Sequence, residues 1–367
     1  MTYIATCKLG LESTVVRQLR QMGIEPDKTE DARVTFSGDY GVMARALLWL
    51  RTAERVLLVV GEFEAKTFDE LFEKTKELGW VHFLSRDARI HVNGKSAKST
   101  LFSVSDCQSI VKKAIVENLK RAYHTDLIPE TGKEIIVEVG MLRDVATLAL
   151  DCCGAGLSRR GYRTWNVAAP LSETLGAAVV LLSRYYADMP LIDPMCGSGT
   201  MPIEAAMIAQ NRAPGLNRTF AAEQWRFVPA SVFSTAREEA NDSIIPVKLQ
   251  ILGSDMDERC IELCKRHAKK ARVTVEWAVR PVEELTDART GGLIVCNPPY
   301  GERLLDKKTA EKLYGVMRER FDRLSGWKQS IISGYKDFET AYGKKADSRR
   351  KLSNGGMPCT LYQYFRF

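Results

Sequence analysis

From residue 170 onward the chain repeats one unit: a short apolar strand, a turn, then a helical stretch. The apolar runs are "PLIDP", "VKLQILGSD", "VTVEWAV", "GLIVCN" and "QSIISGY". Helical patterns fall at 171–187, 199–211, 257–271 and 308–324, and a strand-rich tail, "CTLYQYFRF", follows. Short strands alternating with helices predict a doubly wound α/β sheet. Nothing else restricts the fold as much. In such sheets ligands bind outside the carboxyl ends of the strands, near the point where strand order reverses. The residues closing each strand are therefore the first place to look for chemistry.

The preceding half reads differently. "YIATC" and "ARVTFSGD" are strand-like, and "LESTVVRQLRQMG" is helical, with Gly23 as a stop. "YGVMARALLWLRTAERVLLVVGEF" reads as a helix running into a strand. "TFDELFEKTKELGW" and "SVSDCQSIVKKAIVENLKRAY" are amphipathic helices, the second with Ile110, Ala114, Ile115 and Leu119 on one face. "ARIHVNGKSAKS" is a strand entering a basic loop, and "KEIIVEVGMLRDVATLALDC" a pair of strands joined by a turn. Such a mixture predicts a small α+β region ahead of the sheet.

Between the halves lies "GAGLSRRGYRTWNVAAP", residues 154–170, with Arg159, Arg160 and Arg163 beside Tyr162 and Trp165. It reads equally well as a solvated linker or as a nucleic-acid contact, where arginine meets phosphate and aromatic rings stack on bases. The formal net charge of +7 suits a polyanionic partner without requiring one.

Other classes recede. "MTYIATCKLGLEST" lacks the basic and apolar regions of a signal peptide, and "LGAAVVLL" is too short to span a bilayer, so a cytoplasmic location without a membrane is expected. Nine scattered cysteines are no disulfide framework. Cys260 and Cys264 have no accompanying CxxC or histidine pair, so no metal is expected. The adjacent Cys152 and Cys153 read as buried thiols, and the four histidines stand singly.

The strand ends carry the chemistry. In "LIDPMCGSGTMPIEAAMIA" an apolar strand closes on Asp193, and a Gly197-Ser198-Gly199 turn leads into a helix. Glycines let the backbone turn sharply and approach a ligand, and the helix start offers free N–H groups. Thr200 reads as its cap, and Pro202 lies in the first turn, where its missing donor costs nothing. This is neither GxGxxG nor GxxxxGK[ST]. An acid followed by GxG suits a ligand with an amino-acid part and a nucleoside, and S-adenosylmethionine is the candidate. Asp255 closes the next strand, where it could accept both ribose hydroxyls or simply cap a helix, as Asp257 could. It lies 58 residues beyond Gly197, the excess falling in an inserted stretch at 212–247.

"GGLIVCNPPYGERL" (291–304) then ends the fourth strand, either as a mere terminator or as the reacting site. An exocyclic amine on a nucleobase is a weak nucleophile because its lone pair is delocalised into the ring. The Asn297 side-chain oxygen and the Pro298 carbonyl would accept its two hydrogens and aim the lone pair at a sulfonium methyl. Pro298 and Pro299 hold those acceptors still, and Tyr300 can stack on the base. Catalysis is then positioning and electrostatics.

DPMCGSGT at 193–200 followed by NPPY at 297–300 resembles the class I amino-methyltransferases. Together with "GLSRRGYR", "APLSETLGAAVVLLSRY" and "KLSNG" (351–355), it is similar to the THUMP-containing RNA guanine-N2 methyltransferases, whose bacterial members modify 23S ribosomal RNA. The resemblance covers essentially the whole chain. It implies a ferredoxin-like region at 1–60, a THUMP RNA-binding domain at 61–160 and a Rossmann-like methyltransferase domain at 161–367. It implies S-adenosylmethionine as cofactor, S-adenosylhomocysteine as product, and 23S rRNA or a ribosomal precursor as partner. Cofactor contacts would come from Asp193, Pro194, Met195, Cys196, Gly197, Gly199, Thr200, Asp255 and Met256. RNA contacts would come from Lys95, Lys98, Arg159, Arg160 and Arg163, and catalysis from Asn297 to Tyr300. One departure is Pro281, which stands where relatives often carry an acid near adenine, leaving Glu283 or Glu284 as substitutes. The rival readings are a tRNA guanine-N2 enzyme, an adenine-N6 methyltransferase, and an RNA-binding protein with a vestigial methyltransferase fold.

Overall fold

A computed structural model describes residues 1–163, 171–299 and 307–365. Trp165 and Tyr300 lie outside the described residues. In chain order the N-terminal half comprises β1 (Thr2–Cys7), α1 (Glu12–Gln21), β2 (Pro26–Glu30), β3 (Arg33–Ser37), α2 (Tyr40–Trp49) and β4 (Ala53–Glu64). It continues with α3 (Phe68–Glu77), β5 (Arg89–Ala97), α4 (Val104–Tyr123), β6 (Glu134–Leu142) and β7 (Val145–Asp151). Asp39 and Thr67 start α2 and α3 by accepting from the amides of Val42 and Glu70, and Gly23 turns the chain away after α1 at φ 73°. Arg143 and Asp144, both at positive φ, make the tight turn between β6 and β7.

All seven strands form one sheet in the order β2-β3-β1-β4-β7-β6-β5. The expected boundary at 60/61 falls inside β4, which pairs with β1 on one edge and β7 on the other. β2 did not announce itself in the sequence. Its residues, "PDKTE", lack alternation because it is an edge strand with no buried residue.

The C-terminal half follows the expected alternation: α5 (Glu173–Leu182), β8 (Leu191–Asp193), α6 (Thr200–Ala209), α7 (Ala230–Asp242), β9 (Ile251–Asp255), α8 (Glu258–Ala271) and β10 (Glu276–Val279). β11 (Gly292–Cys296), α9 (Lys307–Asp322), β12 (Trp327–Ser333), α10 (Phe338–Tyr342), β13 (Ser348–Asn354) and β14 (Met357–Tyr364) complete it. The sheet order is β10-β9-β8-β11-β12-β14-β13, parallel through β12, with β14 antiparallel to both its neighbours. Order therefore reverses between β8 and β11. The ends of β9, β8 and β11 lie side by side there, carrying Asp255, Asp193 and Asn297.

The inserted 212–247 stretch braces the two halves. Gly215 donates to the Leu48 carbonyl at 2.9 Å, and Ala222 to that of Cys152 at 3.1 Å. Phe227 packs edge-on against Phe83 and tilted against Tyr40. A Cβ at Gly215 would meet the Leu48 Cα at 2.8 Å, so the close approach itself requires glycine. One hydrophobic core runs through both halves.

Candidate active site

β8 is three buried residues long, and Asp193 at its end is 1% exposed. Its Oδ1 accepts from the Met195 amide at 3.3 Å. Burial pushes its carboxyl well above the usual range, and the neighbouring Asp255 adds to the shift. The glycine turn beyond it runs at φ 52° for Gly197 and 79° for Gly199. Helix α8 backs this turn. Cys264 donates to the Gly197 carbonyl at 3.2 Å and lies 3.8 Å from Cys196, while buried His267 gives its Nδ1 proton to the Ser198 carbonyl at 3.0 Å. Burial lowers the His267 pKa, which suits a neutral ring in that role. Trp277 closes the far side: a Cβ on Gly199 would come within 2.8 Å of its ring.

Asp255 is no helix cap. Asp257 caps α8, accepting from the Arg259 amide at 2.9 Å. Asp255 instead reaches back across the crevice, its Oδ2 accepting from Gly197 N at 2.9 Å and its Oδ1 from Asp257 N at 3.0 Å. Met256, 77% exposed, stands beside it. Pro194 is buried and Met195 half-buried at the start of the loop. Glu283 and Glu284 are exposed on the single 3₁₀ turn Val282–Glu284 that follows β10.

The expectation for Thr200 needs correction. The cap position is Gly199, in the left-handed region, and no side chain caps α6. The first-turn N–H groups of α6 are thus left for a ligand, while the Thr200 hydroxyl accepts from Arg163 Nη2 at 2.8 Å.

At the end of β11, Asn297 Oδ1 is buried with no hydrogen-bond partner. Buried acceptors are rarely left so, and an orphan at a strand end in the crevice is what an amine-binding site requires. Pro298 is buried, and the Pro299 carbonyl accepts from the fully buried Tyr314 of α9 at 3.0 Å, fixing the turn from behind.

Of the basic residues, Lys95, Lys98 and Arg159 are exposed. Arg160 and Arg163, expected as RNA contacts, are engaged within the protein. Arg160 is 2% exposed, donates to the carbonyls of Leu157 and Arg51 and pairs with fully buried Glu204 at 3.4 Å. Arg163 donates to the Leu171 carbonyl at 2.6 Å and pairs with Glu173 at 3.4 Å. Tyr162 is also interior, its hydroxyl 3.2 Å from Glu204. These side chains pair with buried glutamates inside the protein. Sequence reasoning missed Trp277, His267 and Tyr314 as supports of the site.

Among the described residues no group of three or more His, Cys, Asp or Glu side chains could hold a metal, and no helix is long and apolar enough to cross a membrane.

The strand order, the acid-closed β8, the glycine turn and the acid of β9 define a class I S-adenosylmethionine-dependent methyltransferase. The chain belongs to the UPF0020 family, described as the RMKL-like methyltransferase domain, which matches residues 160–363. An RlmL ferredoxin-like domain matches residues 2–57 and a THUMP domain residues 65–151. The chain is 44% identical over 99% of its length to Bacillus subtilis YpsC, named as a candidate RNA methyltransferase, and covers 96% of it. It is 33% identical over 99% of its length to the ribosomal RNA large subunit methyltransferase K/L of Vibrio cholerae, spanning only 53% of that enzyme. Among solved structures, SMU.472 complexed with S-adenosylhomocysteine superposes with a TM-score of 0.93 at 40% identity, covering 100% of this chain and 98% of that one. A Listeria monocytogenes protein described, by prediction, as an N6-adenine-specific DNA methylase matches equally well, at TM-score 0.93 and 46% identity, covering 99% of this chain and 95% of that one.

Proposed function

We propose that this protein methylates the exocyclic N2 amine of a guanine in large-subunit ribosomal RNA, the base being taken out of its stack into the crevice at Asn297. The observation that carries the reading is the buried, partnerless Asn297 Oδ1 at the end of β11, level with the glycine turn across the strand reversal.

The chain's residues fit the cofactor. Asp193 and the open first turn of α6 would hold the amino-acid portion, and Asp255 the ribose hydroxyls. Gly197 and Gly199 hold the turn in the left-handed region that brings its backbone close to the crevice. Bound S-adenosylmethionine supplies a methyl group on a cationic sulfur. Asn297 Oδ1 and the Pro298 carbonyl take the two amine hydrogens, the rigid prolines hold both acceptors in place, and the lone pair is left facing that methyl. Removing the base from its stack costs a few kcal/mol, which contacts from the N-terminal half offset.

RNA is the substrate class favoured by the THUMP and RlmL-type ferredoxin-like domains and by the names of YpsC and the K/L enzymes. The name carried by the Listeria protein favours adenine in DNA, and an NPPY-type site serves either amine. The domain boundaries 1–60, 61–160 and 161–367 remain our working division, with β4 shared by the first two.

Nucleoside mass spectrometry of rRNA, tRNA and DNA from a deletion strain decides between the substrates. Loss of N2-methylguanosine from 23S rRNA is expected. Unchanged rRNA with a lost tRNA mark would move the substrate to tRNA, and loss of N6-methyladenine from DNA would establish the adenine reading.

A further inference from the structure

Arg163 lies against the start of α6, the helix whose open first turn faces the cofactor crevice. Its Nη2 donates to the Thr200 hydroxyl at 2.8 Å and to the Leu171 carbonyl at 2.6 Å, and its side chain is 10% exposed. Burial lowers the His267 pKa and the Arg163 charge adds to it, so the guanidinium also lies close to the residue that holds the Ser198 carbonyl.

The charges buried here do not balance. Arg51, Arg160 and Arg163 cluster with Glu173 and Glu204. Arg160 pairs with Glu204 and Arg163 with Glu173, whereas Arg51 has no carboxylate partner among the described residues and donates to the Arg212 carbonyl. Glu54, bonded to Thr174, does not redress this, since Lys8 pairs with it at 3.0 Å. Asp193 and Asp255 accept from backbone amides and reach no guanidinium group among the described residues. The Arg163 pair is itself loose. Nε lies 3.4 Å from Glu173 without a hydrogen bond, and burial pushes the Glu173 carboxyl above its usual range against the pull of Arg163. A buried cation so poorly matched is costly until an anion arrives.

Thr200 connects that charge to the crevice. Because its hydroxyl oxygen accepts from Arg163, its own proton is left to donate elsewhere, and Ser198 Oγ at 3.4 Å is a distant acceptor. No side chain caps α6, so the first-turn amides stand open beside that hydroxyl. We infer that Arg163 is a positioning residue for the carboxylate of bound S-adenosylmethionine. It fixes Thr200 as an acceptor, leaving the hydroxyl proton and the α6 amides to bind the carboxylate, and its charge balances the anion. The inference rests on the reading of the crevice as the cofactor site.

The test is calorimetric titration of the full chain with S-adenosylmethionine and with decarboxylated S-adenosylmethionine, which keeps the sulfonium and the amine but lacks the carboxylate. The parent should prefer the intact cofactor by about 10- to 100-fold, the range of a hydrogen bond to a charged group. Arg163→Met should lose most of that preference by weakening the intact cofactor alone, and Arg163→Lys should keep most of it. Thr200→Val, which leaves the Arg163–Glu173 pair in place, should lose it too. Each preference is a ratio within one variant, so partial unfolding cancels. Arg163→Met combined with Glu173→Gln keeps the charge balance should the single change unfold the protein. A parent without the preference, equal weakening of both ligands by Arg163→Met, or an unchanged preference in Thr200→Val would each overturn the inference. A parent that binds neither ligand would instead remove the cofactor reading itself.

Discussion

At the scale of single residues, two strand-closing side chains carry opposite burdens. Asp193 is buried where only one backbone amide reaches it, so its carboxylate costs the cofactor-free protein stability. A carboxyl whose pKa is raised on folding binds its proton more tightly in the native state. Its contribution is therefore full at low pH and is lost as pH rises through the raised value. Asp193→Asn removes that loss: at neutral pH the cofactor-free variant should melt higher than the parent, and the gap should narrow as pH falls. The same change deletes a charged acceptor and should weaken S-adenosylmethionine binding about 10- to 100-fold, measurable by calorimetry beside the melting curves. Asn297 should show the reverse separation. Asn297→Ala should bind S-adenosylhomocysteine like the parent yet transfer methyl at least about 100-fold more slowly, the usual cost of losing one preorganised contact. Single-turnover transfer to ribosomal RNA reads this out, and near-parental rates would remove Asn297 from its role.

The glycine turn between β8 and α6 is the element on which the site depends. Gly199 combines φ 79° with a Trp277 ring where a Cβ would go. Gly199→Ala should abolish cofactor binding and lower stability by about 1–3 kcal/mol, from left-handed strain before any clash, as read by urea denaturation. The turn was legible because its requirements are local: an apolar run, an acid, two glycines, a helix. The same holds for β11 and its two prolines. What supports the turn was not legible. Cys264, His267 and Trp277 lie about 65 to 80 positions further along and meet it only when α8 packs behind the turn and β10 pairs with β9. β2 was missed for a related reason, since an exposed edge strand has no buried face to impose alternation on its residues.

The whole molecule is joined more tightly than its domain plan implies. Arg160 binds the Arg51 carbonyl in the first half and Glu204 in the second, and Arg51 Nη2 reaches the Arg212 carbonyl at 2.7 Å. Arg160→Ala would leave Glu204 buried without its cation, and about 3–5 kcal/mol of destabilisation is expected. Both halves should unfold in one earlier transition by scanning calorimetry, while the salt slope of RNA binding stays unchanged. A lower slope would return Arg160 to the RNA-contacting set. "SRRGYR" shows where reading a chain stops. By itself the sequence determined the alternating sheet, the acid-closed strands, the glycine turn and the proline-locked asparagine, because backbone torsion and strand periodicity are properties of adjacent residues. Only the tertiary structure decided that Arg159 faces solvent while Arg160 and Arg163 turn inward, and that 212–247 clamps the halves together. Burial and ion pairing depend on what distant segments bring alongside, and a charge in sequence is the same charge whether a phosphate or a buried glutamate meets it.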